Sequence, residues 1–469
     1  MGHFNMQNSK NPLKKLNPEN LAADISRVIK NDGAQIKEYV KLFIVPRLDF
    51  MSGEDGDLYF VFEDSYVETE WKDMISVHYI NTSYTVANTV MRVHLFLTDE
   101  ITSEYYVGCF TLRTVDDVRF MLSYIYPNWK VTFSDSGDDA YVMSYKKTVH
   151  IGGKEIGFST YPLFVQDNAV VKCAEASMIS MTQYLHVKYD YNKIRILNLS
   201  KSYYSGKTKL FPSRGLTAKQ MMEVFNYYNI PMEFRTCHGE PEEFREHIDF
   251  CLESAIPVLL GMRVQDEQGH INKHVVQIIG HTFSAGNDEK RYIVYDDSGC
   301  FIRSLGKNGR NGFVEEICWK DIREKIAENS FLMYPMHERV YIPYEDINVI
   351  FNDLEKRMKV KEVLERAGEK IIKRRSFVVD NTVLKDFLKN KIQLDNTIGD
   401  IASMKKEIDD ISCKSLPHYL WYCEFQTEDC NLIFFADPTY NNKTTKDIIV
   451  NHAPIISKNV LGLLEKTSG

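Results

Sequence analysis

The sequence lacks the long apolar runs and the paired cysteines that mark several large classes of protein. No window approaches the ~18 consecutive apolar residues of a membrane span, and the polar start, MGHFNMQNSKNPLKKLNPEN, has no apolar signal-peptide core. The 9 cysteines are scattered and include no CxxC pair, which argues against a disulfide framework and against a structural zinc site. We therefore expect a soluble, cytoplasmic protein that uses no metal and no cofactor.

Positive charge and phosphate-binding loops are scarce as well. Lys and Arg number 57 against 65 Asp and Glu, a net charge of −8, and no GxxxxGK[ST] loop occurs. The segment from Glu355 to Arg375 is locally basic, with nine Lys or Arg against four Glu. A solvated helix with pairs such as Glu362 and Arg366 at i,i+4 accounts for this segment. We therefore expect no nucleic-acid partner.

Length and composition indicate a folded chain of several α+β domains. The 469 residues are 44% apolar and 26% charged, which is typical of an ordinary globular protein. We predict an N-terminal α+β domain over 1–150, a central domain over 151–340 and a C-terminal α+β region with a basic helix over 341–469. The two flanking regions are expected to select a substrate or a protein partner.

The flanking regions have simple helix and strand patterns. The sequence from Leu21 to about Lys41 predicts one helix, and the apolar spacing of VDDVRFMLSYIY predicts a second. Runs of β-branched and aromatic residues between turns predict strands at VKLFIVPRL, DLYFVFE, MRVHLFLT, EYYVGCFTLRT, HYLWYCEF and NLIFFADPT.

Cys173 opens a segment with the apolar spacing of an amphipathic helix. After it, Ala174, Met178, Met181 and Leu185 fall at i, i+4, i+7 and i+11. A cysteine at a helix N-terminus lies beside free backbone N–H groups and the positive end of the helix dipole, and both stabilise a thiolate. The pattern therefore favours Cys173 as a nucleophile.

Gln166 stands seven residues before Cys173 in a loop-like segment. Its side-chain amide, together with the backbone N–H of Cys173, is a candidate donor to an oxyanion, if the loop folds back over the helix start. Asp167 and Asn168 are the alternatives for that role. Any of the three residues fits ordinary turn chemistry equally well.

A cysteine nucleophile needs a base, and the base needs an orienting group. His274 opens the apolar strand KHVVQIIGH, and Asp296 and Asp297 end the next strand, RYIVYDDSG. A histidine at the mouth of one strand and a carboxylate at the end of its neighbour can meet beside a cysteine on a helix. We predict His274 as the base and Asp296 as the orienting residue, with Asp297 as its alternative.

Other residues offer weaker versions of the same pairing. His270 lies in the polar loop before the strand of His274, and His281 lies at the far end of that strand, so both are substitutes for the base. Cys237 and His238 are neighbours, but adjacent residues usually point in different directions. We interpret that pair as structural.

The run from Gln166 to Gly299 resembles the papain-like cysteine peptidase superfamily, and most nearly its bacterial branch of double-glycine leader peptidases. Four features recur in the same order: Gln166 before a helix-opening cysteine with small residues (Cys173, Ala174, Ala176), Gly215-Leu216-Thr217 before a helix, Pro257-Val258, and His274-Val275-Val276 followed by Asp296 and Gly299. The match covers about 135 residues, less than a third of the chain.

The resemblance implies a papain-like core in which a helix carrying the cysteine packs on an antiparallel sheet carrying the histidine and the aspartate. It implies Cys173 as nucleophile, His274 as base, Asp296 as orienting residue and Gln166 as oxyanion donor. The sequence departs from the branch at three points. Ala174 replaces a glycine, the Gln-to-Cys spacing is one residue longer, and Asp297 replaces a proline.

These expectations predict a cysteine-dependent hydrolase that acts on a peptide or isopeptide bond of a peptide or protein substrate through a covalent acyl-enzyme. Two alternatives share the residues. In one, an amine replaces water in the second step, as in a transglutaminase-like or amine-acylating enzyme. In the other, the fold is a catalytically inactive papain-like binding module.

Overall fold

The chain has an α+β fold in two compact units. A computed structural model describes residues 13–29, 33–45, 57–81, 86–115, 117–125, 140–167, 169–203, 215–237, 241–265, 270–282, 290–298, 305, 314–326, 329–366, 368–386, 416–427, 431–439 and 451–455. Unit 1 comprises Met1–Phe244 and Pro257–Pro335, and unit 2 comprises Arg245–Ile256 and Met336–Gly469. None of the helices in the described part of the chain is both long enough and apolar enough to cross a bilayer.

The first sheet of unit 1 is antiparallel, with strand order β1-β2-β3-β4-β5-β8-β7. Its strands are β1 (Lys14–Lys15), β2 (Tyr59–Tyr66), β3 (Val90–Phe96), β4 (Tyr106–Val115), β5 (Asp117–Ile125), β7 (Tyr145–Ile151) and β8 (Lys154–Phe164). Three helices belong to the same region: α1 (Pro18–Ile29), α2 (Gly33–Tyr39) and α3 (Thr69–Val77). Helices α1 and α2 pack on this sheet through a core that includes Leu21, Ile25, Ile36, Phe60 and Val93.

Three predictions for the N-terminal region are wrong. The segment VDDVRFMLSYIY is not a helix, because Asp117–Ile125 forms β5 and pairs with β4 and β8. Pairing on both sides buries Phe120, Met121 and Leu122, so sheet contacts override the helical spacing. The helix expected up to Lys41 is two helices, and Val40–Ile44, where a strand was predicted, is a π-helical turn after α2.

The predicted boundary at residue 150 falls within the β-hairpin formed by β7 and β8. Gly152 and Gly153 form its two-residue turn with φ of +57° and +81°. Turns of this kind require positive φ at both central residues, which glycine adopts without strain. After the turn, β8 pairs with β5 as well, so the first sheet continues up to Phe164.

The second sheet of unit 1 carries the predicted base. It is antiparallel, with order β13-β12-β11-β10-β14-β9, and β6 pairs with β11. Its strands are β6 (Ala140–Val142), β9 (Met232–Thr236), β10 (Val258–Gln265), β11 (Ile271–Thr282), β12 (Arg291–Tyr295), β13 (Val314–Cys318) and β14 (Phe331–Pro335). The helices that follow the first sheet are α4 (Cys173–Tyr189), α5 (Ile196–Tyr203), α6 (Ala218–Tyr227), α7 (Pro241–Glu253) and α8 (Trp319–Lys325).

Helix α4 is the central helix of this unit. It begins at Cys173, as the sequence predicts, and packs against β8 and β11. Every residue from Ala174 to Leu185 is buried, so the helix is covered all round and not only on the predicted apolar face. The helix is therefore packed between strands from both sheets.

The described part of unit 2 contains a four-stranded antiparallel sheet, two helices that precede its first strand, and most of α7. The strands, in the order β15-β16-β17-β18, are Lys373–Asp380, Tyr419–Gln426, Asn431–Ala436 and Asn451–Ile455. The helices are α9 (Tyr344–Arg357) and α10 (Val360–Arg366). The two strands predicted at HYLWYCEF and NLIFFADPT are confirmed as β16 and β17, and Leu420, Tyr422, Ile433 and Phe435 form part of the core.

The basic segment from Glu355 to Arg375 is not one solvated helix. Helix α9 ends at Arg357, and Lys359 adopts a left-handed φ of 49° before α10 begins. Val363 and Leu364 of α10 are buried, and the last basic residues belong to β15. Arg375 donates to Glu253 at 2.8 Å and to Glu424 at 2.6 Å, so its positive charge is neutralised within the unit.

Candidate active site

Cys173 is the first residue of α4 and is half-buried. The chain is extended at Lys172, and the Lys172 backbone N–H donates to Glu175 Oε2 at 2.9 Å. This contact fixes the point where the helix begins. The first backbone N–H groups of a helix have no partner within it, so they surround Cys173 with donors and with the positive end of the helix dipole.

The segment Gly215-Leu216-Thr217 lies beside this helix start. Gly215 has a φ of +78°, and a Cβ built on it would lie 3.7 Å from Lys172 Cβ. The Thr217 side chain accepts from the Gln220 backbone N–H and caps α6. The structure therefore brings this part of the predicted motif next to the residue that precedes Cys173.

His274 and Asp296 form a buried hydrogen-bonded pair. His274 lies on β11, opposite Met262 of β10, and Asp296 directly follows β12. The imidazole Nε2 lies 2.7 Å from Asp296 Oδ1, and the residues are 6% and 0% exposed. Of the two adjacent aspartates, it is Asp296 whose carboxylate contacts the imidazole.

The Cys173 side chain lies near enough to the His274 imidazole to raise its pKa, both through its charge and as a hydrogen-bonding neighbour. Because Nε2 is engaged with Asp296, the other ring nitrogen, Nδ1, is the one available to the thiol. Burial disfavours the charged imidazole, but the charge and hydrogen bond of Asp296 and the contact with Cys173 together outweigh it. The pKa of His274 therefore stands well above its ordinary value.

Gln277 links the strand of His274 to the helix of Cys173. Its Nε2 donates to the Ser177 backbone carbonyl oxygen at 2.5 Å, and its Oε1 accepts from the Tyr161 hydroxyl at 2.7 Å. All three polar groups belong to buried residues. Gln277 was not among the predicted site residues, although a lone polar side chain inside an apolar strand is a signal for such a role.

A second link joins α4 to the strand that precedes Asp296. The Phe164 backbone N–H donates to Ser180 Oγ at 2.8 Å. The hydroxyl of Tyr295, the last residue of β12, donates to the Phe164 carbonyl oxygen. The ends of β8 and β12 are thereby held against the helix, on which Cys173 stands.

Asp167 organises the loop between β8 and α4. Its Oδ1 accepts from the backbone N–H groups of Ala169, Val170 and Val171 at 3.1, 2.8 and 2.8 Å. Its Oδ2 accepts from the Tyr79 hydroxyl at 2.7 Å and from Arg113 at 3.2 Å. A carboxylate used in this way is an acceptor, so the interpretation of Asp167 as an oxyanion donor is wrong and that of turn chemistry is right.

Gln166 is half-buried and lies one residue before this organised turn. The Asp167 backbone N–H donates to the Val171 carbonyl oxygen at 3.1 Å, which folds the loop back toward the residue before Cys173. The Gln166 backbone N–H lies near the Asp297 carboxyl, which places this end of the loop beside the cluster. Its rival Asn168 lies outside the described residues, as does Gly299.

Asp297 lies in the same cluster but makes different contacts. It is 1% exposed, and neither carboxylate oxygen has a hydrogen bond of ordinary geometry within the described parts of the chain. The pKa of Asp297 is raised to about 7, mainly by burial. The charge of Asp296 also raises this pKa, whereas the charge of His274 and the nearby Gln166 backbone N–H lower it. This carboxyl therefore titrates near neutral pH.

One ligand atom each from His274, Asp296 and Asp297 lie within 4.8 Å of one another. Such a set could in principle hold a metal ion. Two ligands of a tetrahedral zinc are about 3.3 Å apart, whereas Nε2 and Oδ1 are separated by the 2.7 Å of a hydrogen bond. The arrangement fits an oriented imidazole better than a metal centre.

The alternative residues lie apart from this cluster. His270 is exposed and His281 is buried, and along an extended strand they stand about 13 Å and about 23 Å from His274. His281 contacts the Tyr141 ring of β6. Cys237 is buried and donates its backbone N–H to Ser330, while its neighbour His238 lies outside the described residues.

Comparison with known proteins adds no relative. No protein-family model matches the chain, and no curated protein matches it. The geometry of the cluster is therefore the basis for assigning a function.

Proposed function

We propose that the protein is a cysteine-dependent hydrolase that cleaves a peptide or isopeptide bond. One observation carries the proposal. The His274 imidazole is hydrogen-bonded to Asp296 and lies beside the Cys173 thiol, and Cys173 stands at a helix N-terminus. An oriented base next to a thiol at the positive end of a helix is the arrangement that nucleophilic cysteine chemistry requires.

In the first half of the reaction, His274 Nδ1 takes the proton of the Cys173 thiol, and the thiolate attacks the substrate carbonyl carbon. The resulting oxyanion accepts from the Cys173 backbone N–H and from the Gln166 side-chain amide. His274 then gives its proton to the leaving amine as the carbon–nitrogen bond breaks. The products of this half are a free amine and a thioester on Cys173.

In the second half, water replaces the amine. His274 removes a proton from the water, which attacks the thioester carbonyl carbon. The carbon–sulfur bond then breaks, the carboxylic acid leaves, and the proton returns to the Cys173 thiolate. Throughout both halves, Asp296 keeps Nε2 of the imidazole engaged, so that Nδ1 always faces the reacting atoms.

The pH dependence of alkylation at Cys173 tests the proposal. Iodoacetamide is applied at a series of pH values, and the modified peptides are quantified by mass spectrometry. Cys318 is a matched internal control, because it is half-buried and also precedes a helix, α8. We expect Cys173 to react at least about tenfold faster than Cys318 at about pH 6, since an ordinary thiol with a pKa of about 8.5 is protonated there.

Two histidine variants separate the pairing from general effects. His274→Gln should remove the fast reaction of Cys173, whereas His281→Gln, on the same strand, should retain it. If Cys173 of the wild type reacts like Cys318 at every pH, the site is not activated and the hydrolase proposal is wrong. A binding role for the unit would then be the better interpretation.

A further inference from the structure

Asp297 is the buried titratable group of the cluster that the mechanism above does not use. Both of its oxygens are enclosed, and in the described parts of the chain neither forms a hydrogen bond of ordinary geometry. One of them lies within 4.8 Å of a His274 ring nitrogen and of an Asp296 oxygen. A carboxyl buried next to an imidazole, with backbone N–H groups nearby but no hydrogen bond of ordinary geometry, is costly to bury, which points to a role in the site.

The groups that face Asp297 come from three elements. His274 approaches from β11, Asp296 and Tyr295 stand just before it in the chain, and the Gln166 backbone N–H comes from the loop before α4. His274 is the group here that can carry a positive charge. The charges that act on Asp297 are those of His274 and Asp296, and the Cys173 thiol is not among them. We therefore expect Asp297 to influence Cys173 indirectly, through the His274 imidazole.

We propose that Asp297 is a second carboxylate of the site, a positioning residue that holds His274 in the protonated form and so preserves the thiolate of Cys173. The proposal rests on the proposed hydrolase function. When Asp297 is a neutral acid, the imidazolium has one anionic neighbour, Asp296. When Asp297 ionises, the imidazolium gains a second anionic neighbour in a site that excludes water, and loss of its proton becomes less favourable.

The direction of the pH effect follows from the charges. Below neutral pH Asp297 is protonated and contributes no charge. Above neutral pH it is ionised and opposes the deprotonation of the His274 imidazolium. The thiolate–imidazolium pair should therefore survive to higher pH in the wild type than in a protein whose residue 297 cannot ionise.

The test is the NMR titration of the His274 ring in protein labelled at histidine, with its resonance assigned by its loss in His274→Gln. Asp297→Asn removes the charge with little change in size, and Asp99→Asn, at an exposed position, is the control. We expect the acid dissociation constant of the imidazolium to increase about tenfold or more in Asp297→Asn and to be unchanged in Asp99→Asn. A change of less than about twofold in Asp297→Asn would overturn the proposal.

The wild-type curve gives a second readout that does not depend on the folding of a variant. Two coupled groups titrate in two steps, so the His274 shift should show one step from Asp297 and another from the imidazolium itself. A single step would contradict the inference. The two proposals can fail separately. If the wild type shows a raised His274 pKa and fast alkylation of Cys173, but Asp297→Asn changes neither quantity, the hydrolase proposal stands and only the role of Asp297 is wrong.

Discussion

The Gln277 side chain joins the strand of His274 to the helix of Cys173 by donating to the Ser177 backbone carbonyl oxygen at 2.5 Å. Ser177 lies one helical turn after Cys173, so this bond fixes the distance between the two sides of the proposed pair. The tie is buried, and water cannot replace it without opening the contact between α4 and β11.

Replacement of Gln277 should affect both stability and the site. Gln277→Met keeps the length of the side chain but leaves the Ser177 carbonyl and the Tyr161 hydroxyl without their partner, which costs about 2 to 4 kcal/mol of unfolding free energy. We expect urea unfolding to show this loss and the fast alkylation of Cys173 to slow. Tyr161→Phe, which spares the bond to Ser177, should slow alkylation much less. Equal slowing in both variants would contradict the assigned role of the bond.

Asp167 should be the most sensitive residue of the loop before α4. In Asp167→Asn, an amide replaces one oxygen and the buried Arg113 loses its anionic partner. Removing one partner of a buried ion pair typically costs about 3 to 5 kcal/mol. Urea unfolding at pH 7 measures the loss, and Asp99→Asn, an exposed position, should stay within about 0.5 kcal/mol of the wild type. A loss below about 1 kcal/mol would mean that the turn does not depend on this carboxylate.

Asp297→Asn should stabilise the protein at alkaline pH. Burial raises the pKa of Asp297 from 3.8 to about 7, so the folded state holds a proton that the unfolded state releases. Its contribution to stability is fully present below the unfolded pKa and is lost as the pH rises through about 7. The wild type therefore loses unfolding free energy when buried Asp297 ionises, by about 4 kcal/mol at most at pH 8. The asparagine variant cannot ionise there and does not lose it. If the unfolding free energy changes by the same amount between pH 5 and pH 8 in Asp297→Asn and in the wild type, the prediction is wrong.

His94, in the first sheet, should make the protein sensitive to acid. Burial lowers its pKa to about 4, against an opposing effect of Glu63, and its Nδ1 is 2.9 Å from the Tyr106 hydroxyl. The pKa of His94 is lower in the folded state than in the unfolded state. The contribution of neutral His94 to the unfolding free energy is therefore present above about pH 6.5 and is lost as the pH falls through about 4. The loss from this group is about 3 kcal/mol at most.

Thermal unfolding between pH 7 and pH 4 measures the contribution of His94. His94→Gln should reduce the dependence of the unfolding free energy on pH over this range, whatever its effect at pH 7. His186→Gln, the same exchange at an exposed position, is the matched control. Parallel curves for His94→Gln and the wild type would show that another group titrates.

Several features could be predicted from the sequence because their causes are local. The apolar spacing after Cys173 marked the start of α4, and the apolar runs located the strands of His274 and Asp296. His274 does not open its strand as predicted, because β11 begins three residues earlier, at Ile271, whereas Asp296 directly follows β12. By contrast, the apolar positions of residues 117–125 fit a helix or a strand equally well. Only pairing with β4 and β8 decided in favour of the strand.

The sequence by itself determined which residues are able to carry the chemistry, since side-chain type and position along an element depend on neighbours in the chain. The tertiary structure alone decided which of them meet. It joined His274 to Asp296 rather than to Asp297, used Asp167 as an acceptor for the loop, and recruited Gln277 to tie helix to strand. His274 and Asp296 are 22 positions apart in the chain, and Ser177 and Gln277 are 100 positions apart. No local sequence pattern specifies the register between segments that are so distant.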